Sequence, residues 1–300
     1  MTTEAEDPAL ATDGMGLAPG DDSPPGPLIA YQSVPPGSSP RVGDAADRLA
    51  RYYDLDLEGG PSDIERYLAL ADAEDGLVLE LMAGTGRLSI PLAMAGHAVT
   101  AVDIDPAMLA RARAAWARCK DSAMANGSLS LELGDVLQID LGARFALVFI
   151  ALNSLVLLGT RERQAAGLRA AARHLRPGGL LVVDIWLPDQ EDLALYDGRI
   201  NLEWERTEPE TGLQVAKLDA ARHDPATGHV EMFTWFDTWP TDGGPVSRIS
   251  RTDHLRLVTA GELATMAEAA GLTVEAMEGD HAGGPFGPGV ERAVLLARLV

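Results

Sequence analysis

Residues Leu77–Asp105 read LVLELMAGTGRLSIPLAMAGHAVTAVDID. Leu77 to Met82 is apolar except for Glu80, which is too short for a helix and reads as a strand buried on both faces. Ala83-Gly84-Thr85-Gly86 follows. A helical pattern then starts at Leu88 and stops at Gly96. A second apolar run, Ala98 to Val102, ends in Asp103. Strand, glycine turn, helix, strand and acid form the first half of a nucleoside-binding α/β sheet. Glycine admits positive φ and lets a ligand approach where a Cβ would block it. A carboxylate at the tip of the second strand suits a ribose diol. A dinucleotide site wants a third glycine, so that pyrophosphate can sit on the helix N-terminus. Ser89 stands there instead. Glu80, just before the turn, repels a pyrophosphate and suits an ammonium group.

Glu80-Leu-Met-Ala-Gly-Thr-Gly-Arg87, Val102-Asp-Ile-Asp-Pro106 and Met108-Leu109 together resemble class I S-adenosylmethionine-dependent methyltransferases of the small-molecule type. The resemblance implies a doubly wound, seven-stranded, mostly parallel sheet. It also implies that Ala83, Gly84 and Gly86 wrap the amino-acid end of the cofactor beside Glu80. Asp103 then holds the ribose, Ile104 and Met108 lie by the adenine, and Asp135 with the Val136 amide meets the adenine amino group. Tyr53, on a helix about thirty residues before the turn, resembles part of an N-terminal lid. The loop from Gly279 to Phe286, with His281, resembles one that closes over substrate. The Arg176-Pro-Gly-Gly179 turn also matches.

Three hundred residues with 46% apolar content supply a full core. The formal charge is −21, and Lys120 and Lys217 are the only lysines. Such a surface repels phosphate backbones, which argues against a nucleic-acid partner. The single cysteine, Cys119, excludes an internal disulfide framework. No signal peptide or membrane-length apolar run is visible, so the expectation is a soluble, cytoplasmic protein. Residues 1–43 are rich in Pro, Gly, Ser and Asp and are expected to be disordered or loosely docked. The methyltransferase domain is then 44–300. Ser62-Asp-Ile-Glu65 reads as a capping box opening a helix.

Residues 187–258 read as an antiparallel insertion. Runs near 201–207, 213–223, 229–239 and 248–257 are separated by polar Gly/Pro turns. The insertion carries Trp204, Trp235 and Trp239, and it is expected to cap the site or to pair two subunits in a homodimer.

Ligands of doubly wound sheets sit beyond the carboxyl ends of the strands. Ala151, Asn153 and Ser154 after the fourth strand, and Trp186 after the fifth, belong there. Asn153 is a candidate for orienting the acceptor, with Ser154, Trp186 and Trp235 as substrate contacts. Methyl transfer needs alignment more than a nucleophile, and a base only where the acceptor must lose a proton. His254 and His281 are the histidines on segments near that edge. The fourth strand ends without an acid, so no metal is implied. The leading expectation is methylation of a small amine or hydroxyl. The alternatives are a non-catalytic cofactor-binding partner, a protein-methylating enzyme and, against Ser89 and Glu80, a nicotinamide dehydrogenase.

Overall fold

The computed structural model of the protein describes residues 44–60, 62–120 and 126–300, so the 1–43 segment and its expected disorder lie outside the described residues. The chain opens with α1 (Asp44–Asp56) and α2 (Ile64–Glu74). Then come β1 (Val78–Leu81), α3 (Ser89–Ala95), β2 (Ala98–Asp103), α4 (Pro106–Cys119), β3 (Ser128–Leu133) and β4 (Phe145–Ile150). A 3-10 helix (Ser154–Leu158), α5 (Arg161–His174) and β5 (Leu175–Trp186) follow. The insertion holds α6 (Gln190–Ala194), β6 (Asn201–Thr207), β7 (Gln214–Asp224), β8 (His229–Trp239) and β9 (Ser247–Arg256). The chain ends with α7 (Ala260–Ala269), β10 (Leu272–Glu278) and β11 (Arg292–Leu299).

Seven strands form one sheet in the order β10-β11-β5-β4-β1-β2-β3. β11 runs antiparallel to both neighbours. The order reverses between β1 and β4, which pair in parallel. That reversal puts the ligand crevice at their carboxyl ends. β1 and β4 are buried along their whole lengths, as apolar central strands must be. The other four strands form the antiparallel sheet β6-β7-β8-β9, with the hairpin order that the polar turns predicted.

Local chemistry fixes the helix ends. Gly96 closes α3 in the left-handed region at φ 115°. Asp105 accepts the Ala107 N–H at 2.7 Å and Pro106 takes the first helical position of α4. At α2 the expected capping box does not form. The N-cap is Asp63, not Ser62, and its carboxylate caps nothing. Both Asp63 oxygens are instead taken by Arg87, at 2.5 and 2.6 Å. A bidentate guanidinium is a stronger partner than a backbone N–H, so the local motif loses to the tertiary one. The Arg176–Gly179 turn is an irregularity inside β5, whose pairing jumps from Phe145↔Leu175 to Leu147↔Leu180.

Two apolar clusters sandwich the large sheet. One joins Leu81, Val148, Ile150, Val183 and Leu168 to the 3-10 helix and to Val230, Met232 and Leu255 of the insertion. The other joins Tyr67, Leu88, Leu92, Phe149 and Val182. A third seats α1 between α4 and the insertion through Leu49, Tyr52, Met108, Val215 and Phe236. Among the described residues, no helix is long and apolar enough to cross a membrane.

Candidate functional site

The glycine turn is stitched to the neighbouring strand. Ala83 N–H donates to the Val102 carbonyl at 2.9 Å, and Gly84 N–H donates to Asp103 Oδ2 at 2.7 Å. Asp105 N–H donates to Asp103 Oδ1 at 2.8 Å. Gly84 has φ 58° and Gly86 φ 80°, values that cost an L side chain about 1–2 kcal/mol. A Cβ on Gly84 would stand 3.4 Å from the ring of Tyr53, which lies over the turn. Burial lifts the Tyr53 hydroxyl above its ordinary range; Arg87 opposes this, and Glu80 and Asp103 add to it. One tyrosine thus feels both carboxylates.

Both acids are short of compensating charge. Burial pushes Glu80 up to about 7, against the Ser89 hydroxyl, which donates to its carboxylate, and the charge of Arg87. Burial pushes Asp103 up to about 6, against the backbone N–H groups of Asp105 and Gly84. A cationic, hydroxyl-rich guest supplies what each lacks: an ammonium for Glu80 and ribose hydroxyls for the remaining lone pairs of Asp103. The glycine cradle and these two acids fit S-adenosylmethionine.

The other expected cofactor contacts fare unevenly. Ala151 is buried at the end of β4 and Ile104 is half-buried after β2. Asp135 holds a tight turn, accepting the Leu137 N–H at 2.9 Å and the Gln138 side chain at 3.1 Å. Gly134 N–H, bonded to the Asp103 carbonyl at 2.9 Å, keeps that turn at the crevice. The Val136 side chain enters the core. Met108 is a correction. It is fully buried with Leu49, Tyr52 and Phe236, so it packs α1 onto α4 and offers no surface to an adenine.

On the acceptor side, β4 ends in two non-glycine residues in the left-handed region, Leu152 at φ 47° and Asn153 at φ 62°. Such strain persists only where surroundings over-determine it. Asp184 of β5 supplies the restraint, since its carboxylate accepts the Leu152 N–H at 3.2 Å and its carbonyl the Asn153 N–H at 3.1 Å. Asn153 is a second correction: its Oδ1 accepts the Trp186 N–H, so the amide ties β4 to β5 and is committed to structure. Ser154 is buried at the start of the 3-10 helix, and Trp186 is half-buried with its ring 6.4 Å from that of Tyr196.

His281 meets the same aspartate, its Nε2 3.0 Å from Asp184 Oδ2, while Arg292 is 2.5 Å from Oδ1. Burial acts to raise Asp184, but the hydrogen bond from His281 and the charge of Arg292 outweigh it and hold the carboxyl below its usual range. Beside His281 a cavity of ≈ 430 Å³ opens, also lined by Asp280 and Glu291. Asp63, Asp184 and His281 present ligand atoms within 4.8 Å of one another. A divalent cation there would have to displace Arg87 or Arg292, which already neutralise the acids. Tyr67, whose buried hydroxyl has no hydrogen-bond partner among the described residues, is pushed well up by burial and then by Asp184 and Asp63. Sequence reading missed this network. Arg87, directly after the glycine turn, and His281 were its visible signals.

Two candidates fall outside the site because strand alternation turns them away. On β8 the buried residues are Val230, Met232, Thr234, Phe236 and Thr238, so Trp235 lies on the outer face, stacked near Phe233 at 6.2 Å. On β9 the buried residues are Arg251, Asp253 and Leu255, so His254 is exposed on the outer face. Period-two patterning shows that a strand has two faces, but not which one meets the body.

A family model for a methyltransferase domain matches residues 78–179. The chain is 28% identical over 249 residues to a dTDP-3-amino-3,4,6-trideoxy-alpha-D-glucopyranose N,N-dimethyltransferase of Streptomyces venezuelae, a match covering 80% of this chain and 95% of that protein. It is 26% identical over 219 residues to a cypemycin N-terminal methyltransferase of a Streptomyces species, covering 70% and 77%. Among solved structures, the CcbJ methyltransferase of Streptomyces caelestis superposes with a TM-score of 0.66 at 26% identity, covering 81% of this chain and 92% of that one. The strand order with an antiparallel β11, the glycine turn between two buried acids and these likenesses agree: residues 78–179 match a methyltransferase domain, and the chain is similar across most of its length to S-adenosylmethionine-dependent methyltransferases of class I.

Proposed function

We propose that the protein N-methylates a small-molecule amine, of the amino-sugar class that two of its relatives are named for. The observation that carries this is the pair of buried acids, Glu80 and Asp103, on adjacent strands under Tyr53. When bound, S-adenosylmethionine supplies an electrophilic methyl group. Glu80 receives its ammonium, Asp103 its ribose, and the Ala83–Gly86 turn its backbone, with Ile104, Asp135, the Val136 amide and Ala151 around it. The acceptor nitrogen lies beyond Ala151 and Ser154, near Trp186. His281, oriented by Asp184, takes the proton that an ammonium must lose before it can attack, and passes it towards the neighbouring cavity. Tyr53 and the insertion keep water out, which strengthens every polar contact inside.

In the same reading the protein works in the cytoplasm. It also pairs two copies through the insertion, where the edge strand β6 and its neighbourhood expose Leu195, Ile200 and Leu202. Light scattering tests the pairing.

Calorimetry with S-adenosylmethionine tests the cofactor roles. Tight binding is expected for the natural protein, and Asp103→Ala loses about 2 kcal/mol of it, on the order of thirtyfold. No binding, or no effect of the substitution, refutes the reading. Labelled cofactor offered with a panel of amines and phenols tests the acceptor. Transfer to phenols alone removes the amine assignment, and transfer to nothing favours a non-catalytic partner.

A further inference from the structure

The inner face of the insertion sheet is laid out in rows across β7, β8 and β9. Ala221, Met232 and Asp253 stand opposite one another; next come Asp219, Thr234 and Arg251; then Lys217, Phe236 and Ile249. At one end, Val230, Met232 and Leu255 pack with Val156, Leu157 and Leu158 of the 3-10 helix that follows Asn153. At the other, Phe236 and Val215 pack with Leu49 and Tyr52 of α1, whose next residue, Tyr53, covers the glycine turn. The row of Asp219, Thr234 and Arg251 belongs to neither apolar cluster. It lies between the part of the sheet that packs on α1 and the part that packs on the 3-10 helix after β4, and so roofs the space between them.

Polar groups in that roof are buried without full satisfaction. Thr234 is 1% exposed and Asp253 2%. Among the described residues, Thr234 Oγ1 and Asp253 Oδ1 have no hydrogen-bond partner, while Asp253 Oδ2 is ion-paired with Arg251 Nε at 2.8 Å. Folding alone does not retain such groups, because a buried hydroxyl or carboxylate with no partner destabilises the protein. A guest that arrives with donors removes the deficit.

We propose that Thr234 and Asp253 form the acceptor-recognition subsite: they hydrogen-bond hydroxyl groups at the end of the acceptor remote from the nitrogen that is methylated. This rests on the methyl-transfer reading above and assigns its specificity to the insertion. Hydroxyl donors meet the Asp253 carboxylate and the Thr234 oxygen. An apolar amine of the same size leaves the Thr234 hydroxyl and the second Asp253 oxygen buried without a donor, and is rejected for that reason. Arg251 supports the subsite by pairing with Asp253 and opposing the upward push of burial on its carboxyl.

Two probes of matched ring size test this, 3-amino-3-deoxy-D-glucose and cyclohexylamine, each assayed by steady-state kinetics with labelled S-adenosylmethionine. The natural protein is expected to favour the hydroxylated amine by at least about tenfold in kcat/KM. Thr234→Val and Asp253→Asn each raise KM for the amino sugar about tenfold, while kcat, KM for the cofactor and KM for cyclohexylamine stay within about twofold. Thr234→Val removes a hydroxyl that nothing satisfies, so its Tm is unchanged or higher. Should Asp253→Asn fail to fold, Thr234→Val decides alone. The proposal is overturned if the natural protein does not discriminate between the probes, methylates neither while binding cofactor, or if Thr234→Val leaves KM for the amino sugar unchanged. Loss of cofactor binding by the natural protein defeats the methyl-transfer reading itself, whereas unaltered variants with normal cofactor binding defeat the roof alone.

Discussion

Glu80 and Asp103 carry charges that their surroundings only half support, and this makes the site sensitive to pH. Their folded values, about 7 and about 6, lie above the ordinary 4.5 and 3.8. Between those limits the unfolded chain has released protons that the folded chain still holds, so the stability these groups contribute is full below about pH 4 and is lost as pH rises to about 7. Thermal melts of the cofactor-free protein should show that decline, and Glu80→Gln should flatten the part that persists above pH 6. The same substitution weakens S-adenosylmethionine binding by about 2 kcal/mol, because the ammonium loses an ionised partner. A melting curve for Glu80→Gln with the original pH slope would contradict this assignment. At the acceptor end, His281→Gln is expected to lower kcat/KM at pH 7 by about a hundredfold. The loss should shrink as pH approaches the acceptor's own pKa, where free amine no longer needs a base. A uniform loss at all pH values would instead make His281 a packing residue.

At the level of elements, α1 joins the two sheets. Asp56 at its end accepts the Trp204 indole N–H and the Lys217 ammonium, both at 2.7 Å, and Arg206 reaches the Leu55 carbonyl. Arg111 of α4 holds Asp54 at 2.7 Å. Near the start of α1, Arg48 donates to Thr238 at 3.0 Å. The helix that presents Tyr53 is therefore fastened to the roof as well as to the glycine turn. Lys217 and Asp56 are both nearly buried, with side chains 6% and 12% exposed. Removing one partner of such a pair strands the other charge. Lys217→Met is accordingly expected to destabilise the protein by about 3 kcal/mol in urea unfolding. It should also weaken cofactor binding, although residue 217 lies on the insertion and not beside the glycine turn. Unfolding with no change in cofactor affinity would show that α1 holds its place without the insertion.

On the scale of the whole molecule, a net charge of −21 on 300 residues makes self-repulsion a general cost to the folded state. Raising ionic strength from about 0.01 to about 0.15 M shortens the screening length from about 30 to about 8 Å, and should raise Tm by a few degrees. A Tm that falls with salt would mean that local ion pairs, such as the one between Arg298 and Glu74, outweigh the long-range repulsion. The architecture of the large sheet was legible in the chain, because central parallel strands must be apolar and a glycine turn between strand and helix has few uses. The four insertion strands were equally plain from their alternation and turns. The sequence determined what is local: strand, turn, helix, and the acid placed after them. Tertiary structure alone decided which face of β8 and β9 meets the body, and so turned Trp235 and His254 outward while burying Thr234 and Asp253. It also decided which partner wins a side chain, giving Asp63 to Arg87 and the Asn153 amide to Trp186. Those outcomes depend on contacts between residues far apart in the chain, and no pattern within one segment encodes them.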